Sequence, residues 1–107
     1  MNVIETEIKA AIDKELISAC ERFPMFSSLH EAYGVIKEEV EEASEELEEL
    51  KKYFDMAWGQ IKLNNNELAL NHLTRMQGAA LRLAVEACQV SAMCIKARQS
   101  ERKENNE

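Results

Sequence analysis

With one proline and three glycines in 107 residues, this chain lacks the turn formers that a β-rich domain of its size needs between strands. Cysteine is scarce as well: Cys20, Cys88 and Cys94 are odd in number and form no CxxC pair. That excludes a disulfide framework and a zinc site of the usual spacing, and the three thiols read as free core side chains on apolar helical positions. Positive charge is in deficit, with 13 Lys and Arg against 20 Asp and Glu and a net charge of −7. A duplex or single-stranded backbone needs a basic surface, so nucleic-acid binding is excluded as the main task. A nucleotide held through a divalent cation is not, because a bound cation inverts the local charge. Charge interrupts the N-terminal stretch every few residues, no signal peptide is visible, and no apolar run approaches the roughly 20 residues that cross a bilayer. The expected location is the cytoplasm.

Several chemical signatures are also missing. There is no Gly-rich phosphate loop or Walker motif, and no GxSxG elbow. His30 and His72 stand alone in the sequence. A di-iron carboxylate bundle requires Glu-x-x-His pairs on two helices, and the chain has none.

What is abundant is Leu, Ala, Glu and Lys, all strong helix formers. Ile4, Ile8, Ile12, Leu16, Cys20 and Phe23 keep helical spacing on one face, predicting a helix over residues 3–23 that Pro24 ends. Ser28 and Glu31 have the capping-box spacing, so a second helix is expected from Leu29. Its apolar residues Leu29, Tyr33, Ile36, Val40, Ala43, Leu47, Leu50, Phe54, Ala57 and Ile61 step by four and three. That period of about 3.5 marks a seam packed lengthwise against other helices. Asn64, Asn65 and Asn66 break it. A third helix is expected from Glu67 to about Ala97, with Gly78 as a point where it could kink or divide, and residues 98–107 read as a polar, disordered tail. The third helix carries two apolar stripes, Leu81, Ala84, Cys88, Ala92 and Ile95 on one face and Leu83, Ala87, Val90 and Cys94 on its neighbour. One chain does not easily cover both, so long antiparallel helices completed by a homodimer or homotetramer are expected. The fold class is all-α, a single domain over residues 1–97.

Eight glutamates fall between residues 38 and 49. With Ile36, Val40, Ala43 and Leu47 taken as the inward seam, the helical step of about 100° per residue places Glu39 and Glu46 beside it, with Glu42 and Glu38 further round the same flank. Carboxylates this close repel, and a hard cation among them makes the arrangement favourable. A solvated charged face fits the same run. Glu86 is the other informative residue, a carboxylate inside an otherwise apolar stretch. Such a group is costly to bury unless it is paired or bound to a cation. It either pairs with Arg82 four residues earlier or reaches a metal site from the facing helix. Arg82, Glu86, Gln89 and Lys96 share one polar line. Phe54, Met56 and Trp58 cluster near the end of the second helix, as core or as a ligand wall.

The segment FPMFSSLHEAYGVIKEEVEEASEEL, residues 23–47, resembles the first half of phage-type and Gram-positive MazG-like proteins: a Phe-Pro turn, a His-Glu-x-Tyr start and a helix with Glu-Glu-x-x-Glu, here Glu38-Glu39-Val40-Glu41-Glu42. VEACQVSAMCIKA, residues 85–97, is similar to the helix with the family's second motif. The resemblance implies an all-α, oligomeric, Mg²⁺-dependent enzyme (Mn²⁺ as a substitute) that hydrolyses a nucleoside triphosphate to a monophosphate and pyrophosphate. It implies Glu38, Glu39, Glu42 and Glu86 as metal ligands. On that reading Glu39 or Glu42 positions or deprotonates the attacking water, while Lys96 and Arg82 neutralise phosphate charge. The family's second motif is usually Glu-x-x-Asp; here Gln89 holds the last place, as in many phage-type relatives. The segment between the motifs, residues 51–78, is longer than usual and is where base recognition is expected. The competing expectation is a catalytically silent helical module that uses its seam to assemble and its acidic face to stay soluble. In that case Glu86 should point to solvent or to Arg82.

Overall fold

Short polar caps set the helix boundaries. Asn2 begins α1 (Val3–Arg22) by accepting the Glu5 amide on its side-chain oxygen at 2.8 Å, satisfying one of the otherwise orphaned first-turn donors. Phe23 takes an extended conformation ahead of Pro24, and the helix stops. Ser28 caps α2 (Leu29–Lys62), its hydroxyl accepting from the Glu31 amide at 3.1 Å, as the capping-box spacing predicts. Ser27 also donates to the Glu31 carboxylate. Asn65 does the same for α3 (Asn66–Asn105), taking the Leu68 amide at 3.2 Å.

In this computed structural model, which describes residues 2–105 and the side chains of residues 2–102, the chain is all-α, with no strand among the described residues. Gly78 does not divide α3. The helix also runs on past Ala97, against the expectation of a disordered tail from residue 98. Ser100 is the reason: it is buried, its hydroxyl donates to the Lys96 carbonyl at 2.8 Å, and it accepts from the Phe26 amide at 3.0 Å. That tie fixes another turn of helix against the α1–α2 connector. The last two positions of the expected tail lie outside the described residues. Contrary to the residue-by-residue reading of apolar runs, α3 from Asn66 to Arg102 is long and apolar enough on average to cross a membrane, with a mean hydropathy of 1.3 in its best window. A core helix passes the same test when it is mostly buried, whereas only 11% of this window is buried.

The chain divides into two compact units. The first gathers the chain up to Val40 and from Glu86 onward. Its core is Phe26, Ala32 and Ala97, flanked by Val35, Ile36 and Met93. α1 contributes no fully buried residue to it; Ile12, Leu16 and Cys20 are half-buried, while Ile4 and Ile8 are exposed. The second unit, Glu41–Val85, is a hairpin of the end of α2 and the start of α3. Its turn needs Asn64 in the left-handed region, φ 58°, where asparagine is tolerated better than most residues. The last carbonyls of α2, on Gln60 and Ile61, accept from the amides of Leu63, Asn64 and Asn65. The buried residues of this unit are Ala57, Ala69, His72 and Ala79.

One expectation needs correcting. The 3.5-residue seam of α2 is its buried line only in part: Ala57 is buried and Ile36, Ala43 and Leu50 are half-buried, but Val40, Leu47, Phe54 and Ile61 are exposed. The less exposed positions from the middle of the helix on are Glu39, Ala43, Glu46, Glu49, Leu50, Tyr53, Ala57, Gly59 and Gln60. At about 100° per residue, that line is turned by roughly 70° from the seam, toward the glutamate-bearing flank. The apolar arc of α2 is wider than one neighbouring helix can cover, so the in-chain contact takes one side of it.

Candidate metal centre and adjoining cavity

Because α2 presents its flank inward, Glu39 faces α3. Glu42 follows one turn later on the same unbroken helix, and Glu86 stands on α3. Glu39 and Glu86, both half-buried and both in the first unit, each offer one carboxylate oxygen, and these oxygens lie within 4.8 Å of each other. Glu38 and Glu42 are exposed. The donor set consists of hard carboxylate oxygens with a solvent-facing side, and it suits Mg²⁺ or Mn²⁺, which take oxygen ligands and keep room for water and substrate phosphate. Like charges at this spacing oppose one another, and a cation among them relieves that cost.

Gln89 lies one turn after Glu86 and binds the same carboxylates. With its amide nitrogen turned toward them, it donates to Glu86 Oε2 at 2.9 Å and to Glu39 Oε2 at 3.0 Å. Ionised carboxylates only accept, so this is the orientation that satisfies all three groups. The residue standing where the resembled family has a second acid is therefore a two-fold donor here. It holds a carboxylate of α2 against one of α3. Arg82 Nε donates to Glu46 Oε2 at 2.9 Å within the second unit.

Beside these carboxylates, within the first unit, is a half-open cavity of about 420 Å³, in the size range of small-ligand sites. Glu39 and Gln89 line one side. Ala19, Phe23, Phe26, Val35 and Met93 supply apolar walls, and Arg22, Glu15, Glu31 and Lys96 add charge. Lys96 is the unusual member. It is 3% exposed, its Nζ lies 4.6 Å from the centroid of the Phe26 ring, and it donates to the Ala19 carbonyl at a long 3.5 Å. Among the described residues no carboxylate lies within ion-pair distance of it. An ammonium buried against an aromatic face and one carbonyl is poorly compensated, and the cavity it lines can admit an anionic group.

Sequence reasoning named Lys96, Glu39, Glu42 and Glu86 and missed Arg22, Phe23 and Phe26. The signal was the FPMF turn, which reads as a connector until Phe26 is seen buried beneath Lys96. Residues 51–78, where base recognition was expected, do not line this cavity. Phe54 and Trp58 instead border a smaller one of about 290 Å³ in the second unit, with Ile61 and Leu73. His30 is exposed, and His72 is buried with Nδ1 lacking a hydrogen-bond partner among the described residues. Comparison with protein-family models, with curated proteins and with solved structures finds no match to this chain.

Proposed function

We propose that the chain is a Mg²⁺- or Mn²⁺-dependent nucleoside triphosphate pyrophosphohydrolase, converting a triphosphate to a monophosphate and pyrophosphate. One observation carries the reading. Glu39, from the first glutamate motif, and Glu86, from the second, bring carboxylate oxygens within 4.8 Å of each other, although 47 positions separate them in sequence.

In this reading Glu39, Glu42 and Glu86 hold the cation. The cation supplies positive charge against the triphosphate and makes a neighbouring water more acidic. Glu42, the most exposed of the three, is placed to orient that water or take its proton, with Glu39 as the other candidate base. Lys96 offers its under-compensated ammonium to phosphate oxygens. The walls formed by Phe23, Phe26 and Met93 give the nucleoside an apolar surface. Arg82, engaged by Glu46 in the second unit, has no role in this proposal.

A second reading, the catalytically silent module, draws on Gln89. Its amide satisfies Glu39 and Glu86 without any cation. Thermal melting with increasing Mg²⁺ or Mn²⁺ separates the two. A specific site stabilises by mass action, by about 2.7 kcal/mol at a hundredfold excess over Kd. The enzyme reading predicts a melting temperature that rises and saturates for the wild type and loses most of that rise in Glu86→Gln. A weak, unsaturating rise shared by both proteins is the signature of the silent module.

A further inference from the structure

Gln89 lies in a stretch of α3 that has little else polar. Between Leu83 and Met93 the other polar side chains are Glu86 and Ser91, and Gln89 is half-buried among them. Its amide nitrogen has two protons, and each has its own acceptor: Glu86 Oε2 at 2.9 Å on the same helix, and Glu39 Oε2 at 3.0 Å on α2. All three residues belong to the first unit, so this tie lies inside one compact body. Glu39 and Gln89 also border the 420 Å³ cavity.

A bond between residues three apart on one helix is local. The bond to Glu39 crosses between helices and joins two like charges. Ionised carboxylates at this range repel, and Gln89 draws them to one point with neutral donors. An ionised aspartate, the residue usual at this place in the resembled family, has no proton to give and would add to the repulsion. Gln89 thus exchanges a charged ligand for a clasp. The clasp does not use up the carboxylates. Each has two oxygens and about four lone-pair sites, and Gln89 engages Oε2 of each. It does not compete for Oε1 of either, and oxygen ligands of a hard cation bind best when hydrogen bonds from neighbouring groups orient them.

We propose that Gln89 is a positioning residue of the metal centre: its amide holds Glu39 and Glu86 together before a cation arrives, and stays bonded to both while their Oε1 atoms take the cation. This role rests on the metal-dependent reading above. It gives Gln89, whose bonds alone would suit a silent module, a part in the site.

The experiment is calorimetric titration of Mn²⁺ into the metal-free whole protein, with and without a non-hydrolysable triphosphate analogue. Wild type is compared with Gln89→Met, which keeps the side chain's length and removes both protons, at a temperature where circular dichroism shows both folded. The expected result is saturable binding by wild type and a Kd raised by about 10- to 100-fold in the variant, the range for losing a hydrogen bond that orients a metal ligand. A role confined to packing would lower the melting temperature in EDTA and leave the Kd of the folded protein unchanged; that result overturns the proposal and leaves the metal reading standing. A tighter Kd in the variant also overturns it, because Gln89 then competes with the cation. Wild type that binds no Mn²⁺, alone or with the analogue, overturns it together with the metal reading. Should Gln89→Met fail to fold, the Gln89 side-chain amide protons of the unmodified protein decide by NMR. Both should stay protected from exchange and shift saturably as Mg²⁺ is added, and loss of their protection on Mg²⁺ binding overturns the proposal.

Discussion

Lys96 and Gln89 differ from the surface residues they resemble in sequence. Each is a polar side chain on α3 with a partner on another helix: the Ala19 carbonyl for Lys96, and Glu39, besides Glu86 of α3 itself, for Gln89. The polar line of Arg82, Glu86, Gln89 and Lys96 was legible from periodicity, but its division was not. The sequence cannot say that Arg82 meets Glu46 in one unit while Lys96 lies against the Phe26 ring in the other. The poorly compensated Lys96 yields a sharp prediction. Lys96→Met keeps the stem and removes the charge, so the melting temperature should stay within the equivalent of about 1 kcal/mol of wild type, or rise. The KM for a triphosphate substrate should increase by roughly tenfold, about 1.4 kcal/mol of lost binding. A large loss of stability would instead show that the ammonium is structural.

At the scale of elements, the boundaries were the most legible feature. Pro24, the Ser28–Glu31 pair and the asparagine run mark them through local chemistry that needs no tertiary knowledge. The two places where the reading fell short both involve contacts made at a distance. α3 outlasts its apolar pattern because Ser100 is tied to Phe26, 74 residues away, and α2 packs on a flank rather than on the seam its spacing announces. The turn between α2 and α3 gives the test at this scale. Asn64 sits at φ 58°, so Asn64→Val should destabilise the chain by about 1–2 kcal/mol, whereas Asn64→Gly should change it by only a few tenths in either direction. Chemical unfolding of the two variants measures the difference. Equal effects would mean that the left-handed turn is not held in solution.

For the whole molecule, an all-α chain was evident from composition, and the approach of Glu86 to the first glutamate motif was one of two open readings of its place in an apolar stretch until the resemblance of two short motifs favoured it. Spacing alone gathered Glu38, Glu39 and Glu42 on one flank; within the first unit the structure brings Glu39 to Glu86 and leaves Glu38 exposed. The rotation of α2 explains this, since turning its flank inward carries Glu39 toward α3 and leaves Glu38, a residue back round the helix, in solvent.

The most direct test of the catalytic claim is pyrophosphate release from a panel of ribo- and deoxynucleoside triphosphates with Mg²⁺ or Mn²⁺, comparing wild type with Glu39→Gln. The account predicts stoichiometric pyrophosphate and monophosphate from at least one substrate, with turnover reduced at least a hundredfold in the variant, about 2.7 kcal/mol of lost transition-state stabilisation. No release from any triphosphate by folded protein with metal present, or release that Glu39→Gln leaves unchanged, would contradict it.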